Sequence, residues 1–154
     1  TGGFLPLAVT ACTNKIYEAF YSDDRSKTLF HGHSYTANPL GCAAAIASLE
    51  LLRENEALFK GMEVRHKRFL PKFEDHPSVY NIRVCGTIAA MNIRSDKEEG
   101  YLNEIGSKMR KGLLEKGVLL RPLGNVVYLL PPYCITDEQL EVIYESILSL
   151  SDAG

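Results

Sequence analysis

The stretch His31-Gly32-His33-Ser34-Tyr35-Thr36-Ala37-Asn38-Pro39-Leu40 runs without a linker into Gly41-Cys42-Ala43-Ala44-Ala45. Small, polar, backbone-exposing residues give way there to an alanine-rich helix. Asn38 has the side chain of a good N-cap, and Pro39 takes the first helical position, where its missing N–H costs nothing. From Asn38 to about Arg53, the residues Leu40, Ala43, Ala44, Ala47, Leu51 and Leu52 recur at three- and four-residue spacing and predict an apolar helical face. A loop of glycine and hydroxyl residues leading into a helix N-terminus has two readings. One is a capped helix after a polar loop. The other is an anion site, in which backbone N–H groups, the Ser34 and Thr36 hydroxyls and the positive helix end face a phosphate or carboxylate.

Upstream, Leu5 to Cys12 is a short apolar run with the composition of a strand buried on both faces. Thr13 or Asn14 caps a helix that carries Ile16, Tyr17, Phe20 and Tyr21 on one side, and Ser22 to Thr28 is turn-like. Without strand neighbours, Leu5 to Cys12 is expected to leave an unpaired apolar edge.

Downstream, Glu54 to Phe73 predicts a more polar helix with Leu58, Phe59, Met62, Phe69 and Phe73 inward; Pro71 kinks or ends it, and His76-Pro77 closes it. Val79 to Arg94 reads as a strand with Gly86 at a bulge or close contact. Tyr101, Leu102, Ile105, Met109, Leu113 and Leu114 trace a helical face that ends at Lys116-Gly117. Val118 to Arg121 and Val126 to Leu130 read as two strands about a turn at Leu123-Gly124-Asn125. Thr136 and Gln139 make a capping-box signature for a last helix with Leu140, Ile143, Ile147 and Leu150 inward.

Composition narrows the function classes. The 154 residues are 45% hydrophobic and 23% charged, ordinary for a globular domain, and the net charge of −2 argues against a nucleic-acid surface. No apolar run approaches the ~20 residues a membrane span needs. Cys12, Cys42, Cys85 and Cys134 are scattered without a Cys-x-x-Cys pair and suit reduced, buried thiols of a cytosolic protein. His31 and His33 have no carboxylate or third ligand nearby, so no metal site is expected.

Arg121 stands at a predicted strand end, just before Pro122 and a glycine-containing turn. A guanidinium held there suits bidentate capture of a carboxylate; the alternative is an ion pair with a nearby Asp or Glu. Tyr128 on the following strand is a core aromatic or a pocket residue, and Arg83 reads as structural.

Three stretches, in order, resemble the class III (fold type I) pyridoxal-phosphate aminotransferases over nearly the whole chain. Thr1-Gly2-Gly3-Phe4-Leu5-Pro6-Leu7-Ala8-Val9-Thr10 is similar to the sequence just after the family's Schiff-base lysine. The block from His31 is similar to the segment whose Gly-x-Ser/Thr turn reaches across the dimer interface to the partner's cofactor phosphate. Arg121-Pro122-Leu123-Gly124-Asn125-Val126-Val127-Tyr128-Leu129-Leu130-Pro131-Pro132 is similar to the C-terminal arginine segment of the family's biotin-synthesis branch.

The resemblance implies an α+β (α/β) fold. Residues 1–37 would be a remnant of the large cofactor-binding domain, and residues 38–154 the C-terminal small domain. It implies cofactor binding by His33 and Ser34, and substrate binding by Gly32, Arg121 and Tyr128. Gly32 and His33 would form the turn presenting the Ser34 hydroxyl, Arg121 would hold the substrate carboxylate, and Tyr128 would line the pocket. The family more often has proline and threonine at the positions of His33 and Ser34; serine keeps the hydroxyl, while loss of the proline bears on the stiffness of the turn. The family's lysine falls three residues before the position of Thr1. The chain is therefore expected to be the C-terminal portion of a larger enzyme, to hold no catalytic residue and to be inactive alone.

For the parent, the resemblance implies pyridoxal 5'-phosphate as cofactor and a cytoplasmic homodimer acting on small molecules. Its reaction would pass an amino group from S-adenosylmethionine to 8-amino-7-oxononanoate, giving 7,8-diaminononanoate. Class III enzymes of the ornithine or 4-aminobutyrate type share the first two blocks and are the alternative within the family. A non-catalytic binding or dimerisation module is the alternative of a different class.

Overall fold

Asn38 and Pro39 start their helix as the sequence dictates. The Asn38 side chain accepts from the Leu40 N–H at 3.1 Å, and α2 runs Pro39–Glu54. The computed structural model describes residues 1–151, so the last three residues of the predicted small domain lie outside the described residues. Contacts divide the chain into two units, residues 1–55 and the residues from Glu56 onward.

The first unit holds α1 (Asn14–Phe20), a 3₁₀ turn at Arg25–Lys27 and α2. Asp24 caps the 3₁₀ turn through the Ser26 N–H at 3.0 Å. Leu5 to Cys12 forms no strand: it joins no ladder among the described residues, and Val9 is 86% exposed. An apolar run becomes a strand only where another strand takes up its N–H and C=O groups, and here none does. The predicted apolar face of α2 is likewise not buried. Gly41 alone on that helix is buried, with its Cα side against Leu7, while Leu40 and Leu51 stand exposed. Within this unit Ala44, Ala47 and Ser48 of α2 share a pocket with Thr1, Gly2 and Phe4.

The second unit is α+β. Three short helices, α3 (Glu56–Lys60), α4 (Met62–Lys67) and α5 (Pro71–Glu74), replace the single predicted helix. Pro71 opens α5 rather than closing a longer helix, because proline fits the first helical position without losing a bond. Val79 to Arg94 is a hairpin, not one strand: β1 (Val79–Cys85) pairs antiparallel with β2 (Ile88–Ile93) around Gly86, whose φ of +57° makes it the turn. The irregularity in the ladder sits instead at Asn81, with φ +50°, between Tyr80 and Arg83.

After α6 (Ile105–Glu115), β3 (Val126–Leu129) adds to the other edge of β2, giving the order β1-β2-β3. Tyr101 and Leu102 lie before α6 and are exposed, so the helical face begins at Ile105, which Asn103 caps through its Oδ1 at 3.0 Å. Val118 to Arg121 is not a strand; only Leu123 bridges to Val126. The capping box is present as read. Thr136 N–H donates to Gln139 at 3.0 Å, Gln139 N–H donates to Thr136 at 3.2 Å, and α7 follows over Asp137–Ser151. One face of the sheet, through Ala89, Met91, Ile93, Val127 and Leu129, is buried in a single cluster with Met62, Phe73, Met109, Leu113, Leu140 and Ile147.

The four cysteines are free, but they are not the buried thiols expected. Cys12, Cys85 and Cys134 are exposed and Cys42 is half-buried, since each sits in a loop, at a strand end or on the open side of α2.

Candidate functional site

The candidate residues divide between the units. Gly32, His33 and Ser34 belong to the first, Arg121 and Tyr128 to the second.

In the first unit a tight turn is closed by local bonds. The Thr36 N–H donates to the His33 carbonyl at 3.0 Å, and the His33 N–H donates to the Thr36 hydroxyl oxygen at 3.1 Å. The Tyr35 N–H donates to His33 Nδ1 at 3.1 Å, which leaves the hydrogen of that ring on Nε2. Ala37, at φ +53°, then carries the chain into the Asn38 cap. Serine, threonine and asparagine side chains satisfy neighbouring backbone groups in this way and make a short loop rigid without proline. Ser34 lies at the exposed crest, and among the described residues its hydroxyl has no partner. A Cβ at Gly32 would meet no atom within 4 Å. The donor set fits a phosphate: a free serine hydroxyl, a threonine hydroxyl whose hydrogen is not spent, an imidazole Nε2–H and open space at the glycine.

In the second unit Arg121 precedes a turn that is locked in place. The Leu123 N–H donates to the Val126 carbonyl at 2.9 Å, and the Val126 N–H returns a bond of 3.0 Å. Gly124 has φ +58°, and a Cβ there would fall 1.8 Å from the Gly100 carbonyl oxygen, so only glycine fits. Asn125, 3% exposed, fastens the turn to three parts of the unit. Its Oδ1 accepts from the Gly100 N–H at 3.1 Å, its Nδ2 donates to the Tyr80 hydroxyl at 3.0 Å, and its carbonyl accepts from the Ile93 N–H at 2.8 Å. The exposed Arg121 lines a pocket of about 210 Å³ with Asn103, Ser107, Arg110 and the Gly124 backbone. Among the described residues it forms no ion pair, so the structural salt-bridge reading has no partner there.

Tyr128 does not line that pocket. In β3 the buried residues are Val127 and Leu129, which puts half-buried Tyr128 on the opposite face of the sheet, directly across from Ala90. Ala90 is in turn opposite Arg83, whose guanidinium donates to the Asn81 carbonyl at 2.7 Å and to Asn92 Oδ1 at 2.9 Å. Arg83 thus braces the irregular part of β1 against β2, the structural role its sequence context indicates.

Several polar residues organise this unit in roles that the sequence does not announce. His66 is fully buried, with Nδ1 2.7 Å from the Tyr144 hydroxyl and Nε2 3.0 Å from the Thr87 carbonyl. A carbonyl only accepts, so Nε2 carries the hydrogen and Nδ1 accepts from Tyr144. Burial pushes the imidazole below its ordinary value, against the raising effect of Thr87, and pushes the Tyr144 phenol up. Arg65 donates to Asp137 and to the Ile135 carbonyl, each at 2.6 Å, tying α4 to the start of α7. A signal existed for the first pair: Met62, His66, Phe69 and Phe73 recur at four- and three-residue spacing, as do Leu140, Tyr144 and Ile147. For Asn125 there was none, since its partners at Tyr80 and Gly100 are far away in sequence.

An α+β unit, an N-capped helix after a hydroxyl-rich turn and an arginine on a locked turn agree with a segment of a class III aminotransferase. The model of the class III aminotransferase family matches residues 1–150, and the chain belongs to that family. It is similar to the adenosylmethionine-8-amino-7-oxononanoate aminotransferase of Synechococcus elongatus, with 53% identity over 99% of this chain and 36% of the relative. The enzyme of the same name from Methanocaldococcus jannaschii is 38% identical over 96% of the chain and 34% of the relative. The crystal structure of an M. jannaschii enzyme of this name superposes with a TM-score of 0.80 at 30% identity, over 92% of this chain and 34% of that one. The chain thus spans about a third of the length of the curated relatives it matches.

Proposed function

We propose that the chain serves an aminotransferase of biotin biosynthesis, which passes an amino group from S-adenosylmethionine to 8-amino-7-oxononanoate and releases 7,8-diaminononanoate. The observation that carries the reading is Arg121, a guanidinium on a turn fixed by Asn125 and Gly124 with no acidic partner among the described residues. The relatives whose names state this reaction match nearly the whole chain, which favours it over the ornithine and 4-aminobutyrate alternatives. Arg121 holds the acceptor's carboxylate through its planar pair of donors and so fixes how far the chain of the acceptor reaches. Tyr128 contributes an aromatic wall on the outer face of the sheet, and Gly32 leaves room beside the phosphate turn.

Ser34, with the Nε2–H of His33, holds the phosphate of pyridoxal 5'-phosphate across the interface of a cytoplasmic homodimer. When bound, that cofactor supplies an electron-poor ring that delocalises the electron pair released as a substrate C–H bond loses its proton. Residues 1–37 serve the large domain in this reading, and the residues from 38 onward the small one. The exposed Phe4, Phe30 and Tyr35 of the first unit suit a surface that other parts of the dimer cover.

The reading is tested by incubating the intact enzyme with S-adenosylmethionine and 8-amino-7-oxononanoate and identifying the product by mass. 7,8-Diaminononanoate is the expected product. Its absence, with turnover of ornithine or 4-aminobutyrate instead, would move the chain to another branch of the family.

A further inference from the structure

Six of the thirteen lysine and arginine side chains of the second unit are matched by acids among the described residues, Lys60 meeting Glu56. Arg65 and Arg68 share Asp137, Lys67 meets Glu63, Lys72 meets Glu145, and Lys97 meets Glu104. Arg110 and Arg121 are not. Both line the same pocket, no acidic residue lines it with them, and neither forms an ion pair among the described residues. They come from different elements, Arg110 from the exposed side of α6 and Arg121 from the chain leading into the locked turn. The turn itself is pressed against α6: a Cβ at Gly106 would lie 2.3 Å from the Gly124 carbonyl oxygen. The two guanidinium-bearing walls are therefore held in fixed register by backbone. Asn103 is buried and donates its amide to Ser95 at 2.7 Å and to the Glu98 carbonyl at 2.8 Å, so it offers the pocket no free donor. Two like charges facing one concave space, with no counter-charge in its walls, repel until an anion enters.

We infer that Arg110 is a second substrate-binding residue of this pocket, which takes one carboxylate shared between the Arg110 and Arg121 guanidiniums. This rests on the reading of Arg121 as the acceptor's clamp and deepens it by naming the residue that makes the clamp selective for an anionic end group. The volume of about 210 Å³ accommodates a carboxylate and several methylenes, at ~30 Å³ for a water-sized group. A chain ending in an ammonium meets two like charges there and is repelled, and one ending in an amide forgoes the charge-assisted pairing. Selectivity for a terminal carboxylate follows from the pair more than from Arg121 alone.

The test compares Arg110→Gln, Arg110→Lys and Arg121→Ala in the intact enzyme, with thermal unfolding as a check on folding. Two quantities are read: the acceptor's KM against kcat, and the inhibition constant of nonanoate, an unreactive nine-carbon carboxylate. For Arg110→Gln, both the acceptor's KM and the nonanoate constant are expected to rise about tenfold, as loss of one charge-assisted contact dictates, with kcat little changed. Arg110→Lys is expected to recover part of the loss, because it restores charge without the fork. If Arg121→Ala raises the acceptor's KM while a folded Arg110→Gln leaves both quantities unchanged, the inference about Arg110 fails and the reading of Arg121 stands. If neither variant changes them, both fail. An equal loss from Arg110→Gln toward acceptor and nonanoate, accompanied by a matching fall in unfolding temperature, assigns Arg110 to structure and also overturns the inference.

Discussion

His66 shows how one residue ties the core of the second unit together. It joins α4, α7 and the β1–β2 turn through two hydrogen bonds, accepting from Tyr144 and donating to Thr87. Tyr144 in turn stacks on Phe69, with ring centroids 5.0 Å apart. Because burial holds the imidazole below its ordinary 6.5, the unfolded chain binds the extra proton first as pH falls. The contribution of His66 to stability is therefore complete above about 6.5 and is lost progressively as pH drops below it. Denaturant unfolding at pH 7.5 and 5.5 is expected to show this loss in the parent and a shallower one in His66→Gln, whose amide can still donate to Thr87 and accept from Tyr144. Equal slopes in the two proteins would remove His66 from the account. Ser34 is the opposite case, an exposed hydroxyl without a partner in the chain. Ser34→Ala is thus expected to leave the fold intact and to weaken retention of pyridoxal phosphate by about ten- to a hundredfold, the worth of one bond to a charged group. Unchanged cofactor affinity in the folded variant would assign Ser34 to the loop alone.

At the scale of elements, local signals were legible and pairing was not. The Asn38 cap, the Thr136–Gln139 capping box and the glycine after α6 depend on residues within four positions of one another, and each is present as read. Val79 to Arg94 reads as one strand in the sequence because apolar alternation is the same on both sides of a turn. Only the +57° φ at Gly86 reveals the reversal. Leu5 to Cys12 and Val118 to Arg121 have strand composition but no ladder, and composition cannot supply a partner. The turn after Arg121 was legible through Gly124, yet what holds it, Asn125 against Gly100 and Tyr80, was not. Gly124→Ala would force a Cβ into the Gly100 carbonyl and strain a positive φ. A loss of about 2 kcal/mol or more in unfolding free energy is expected, together with weaker acceptor binding as Arg121 loses its frame. Full stability in this variant would mean that the turn is not fixed as described.

Across the whole molecule, the two units answer different needs. The second has a closed core, with its apolar residues from three strands and four helices, α4 to α7, in one cluster. The first carries Phe4, Val9, Ile16, Tyr17, Leu29 and Phe30 on its exposed surface. The family was legible from three ordered motifs; the division after Asn55 was not, because the apolar periodicity of α2 is the same whichever unit the helix packs with.

In the proposed function Arg121 clamps the acceptor's carboxylate. In 8-amino-7-oxononanoate the reacting carbonyl lies six bonds from the carboxyl carbon, whereas in S-adenosylmethionine the carboxylate is next to the reacting carbon. One fixed arginine cannot serve both distances equally, and binding energy from the remote carboxylate is what places the acceptor's carbonyl for reaction. Single-turnover kinetics of the two half-reactions in Arg121→Ala of the intact enzyme measure this directly. The expected result is a rise in the acceptor's KM of about ten- to a hundredfold, partly recovered by Arg121→Lys, with the half-reaction of the amino donor much less affected. Equal damage to both half-reactions, or damage to neither, would contradict it.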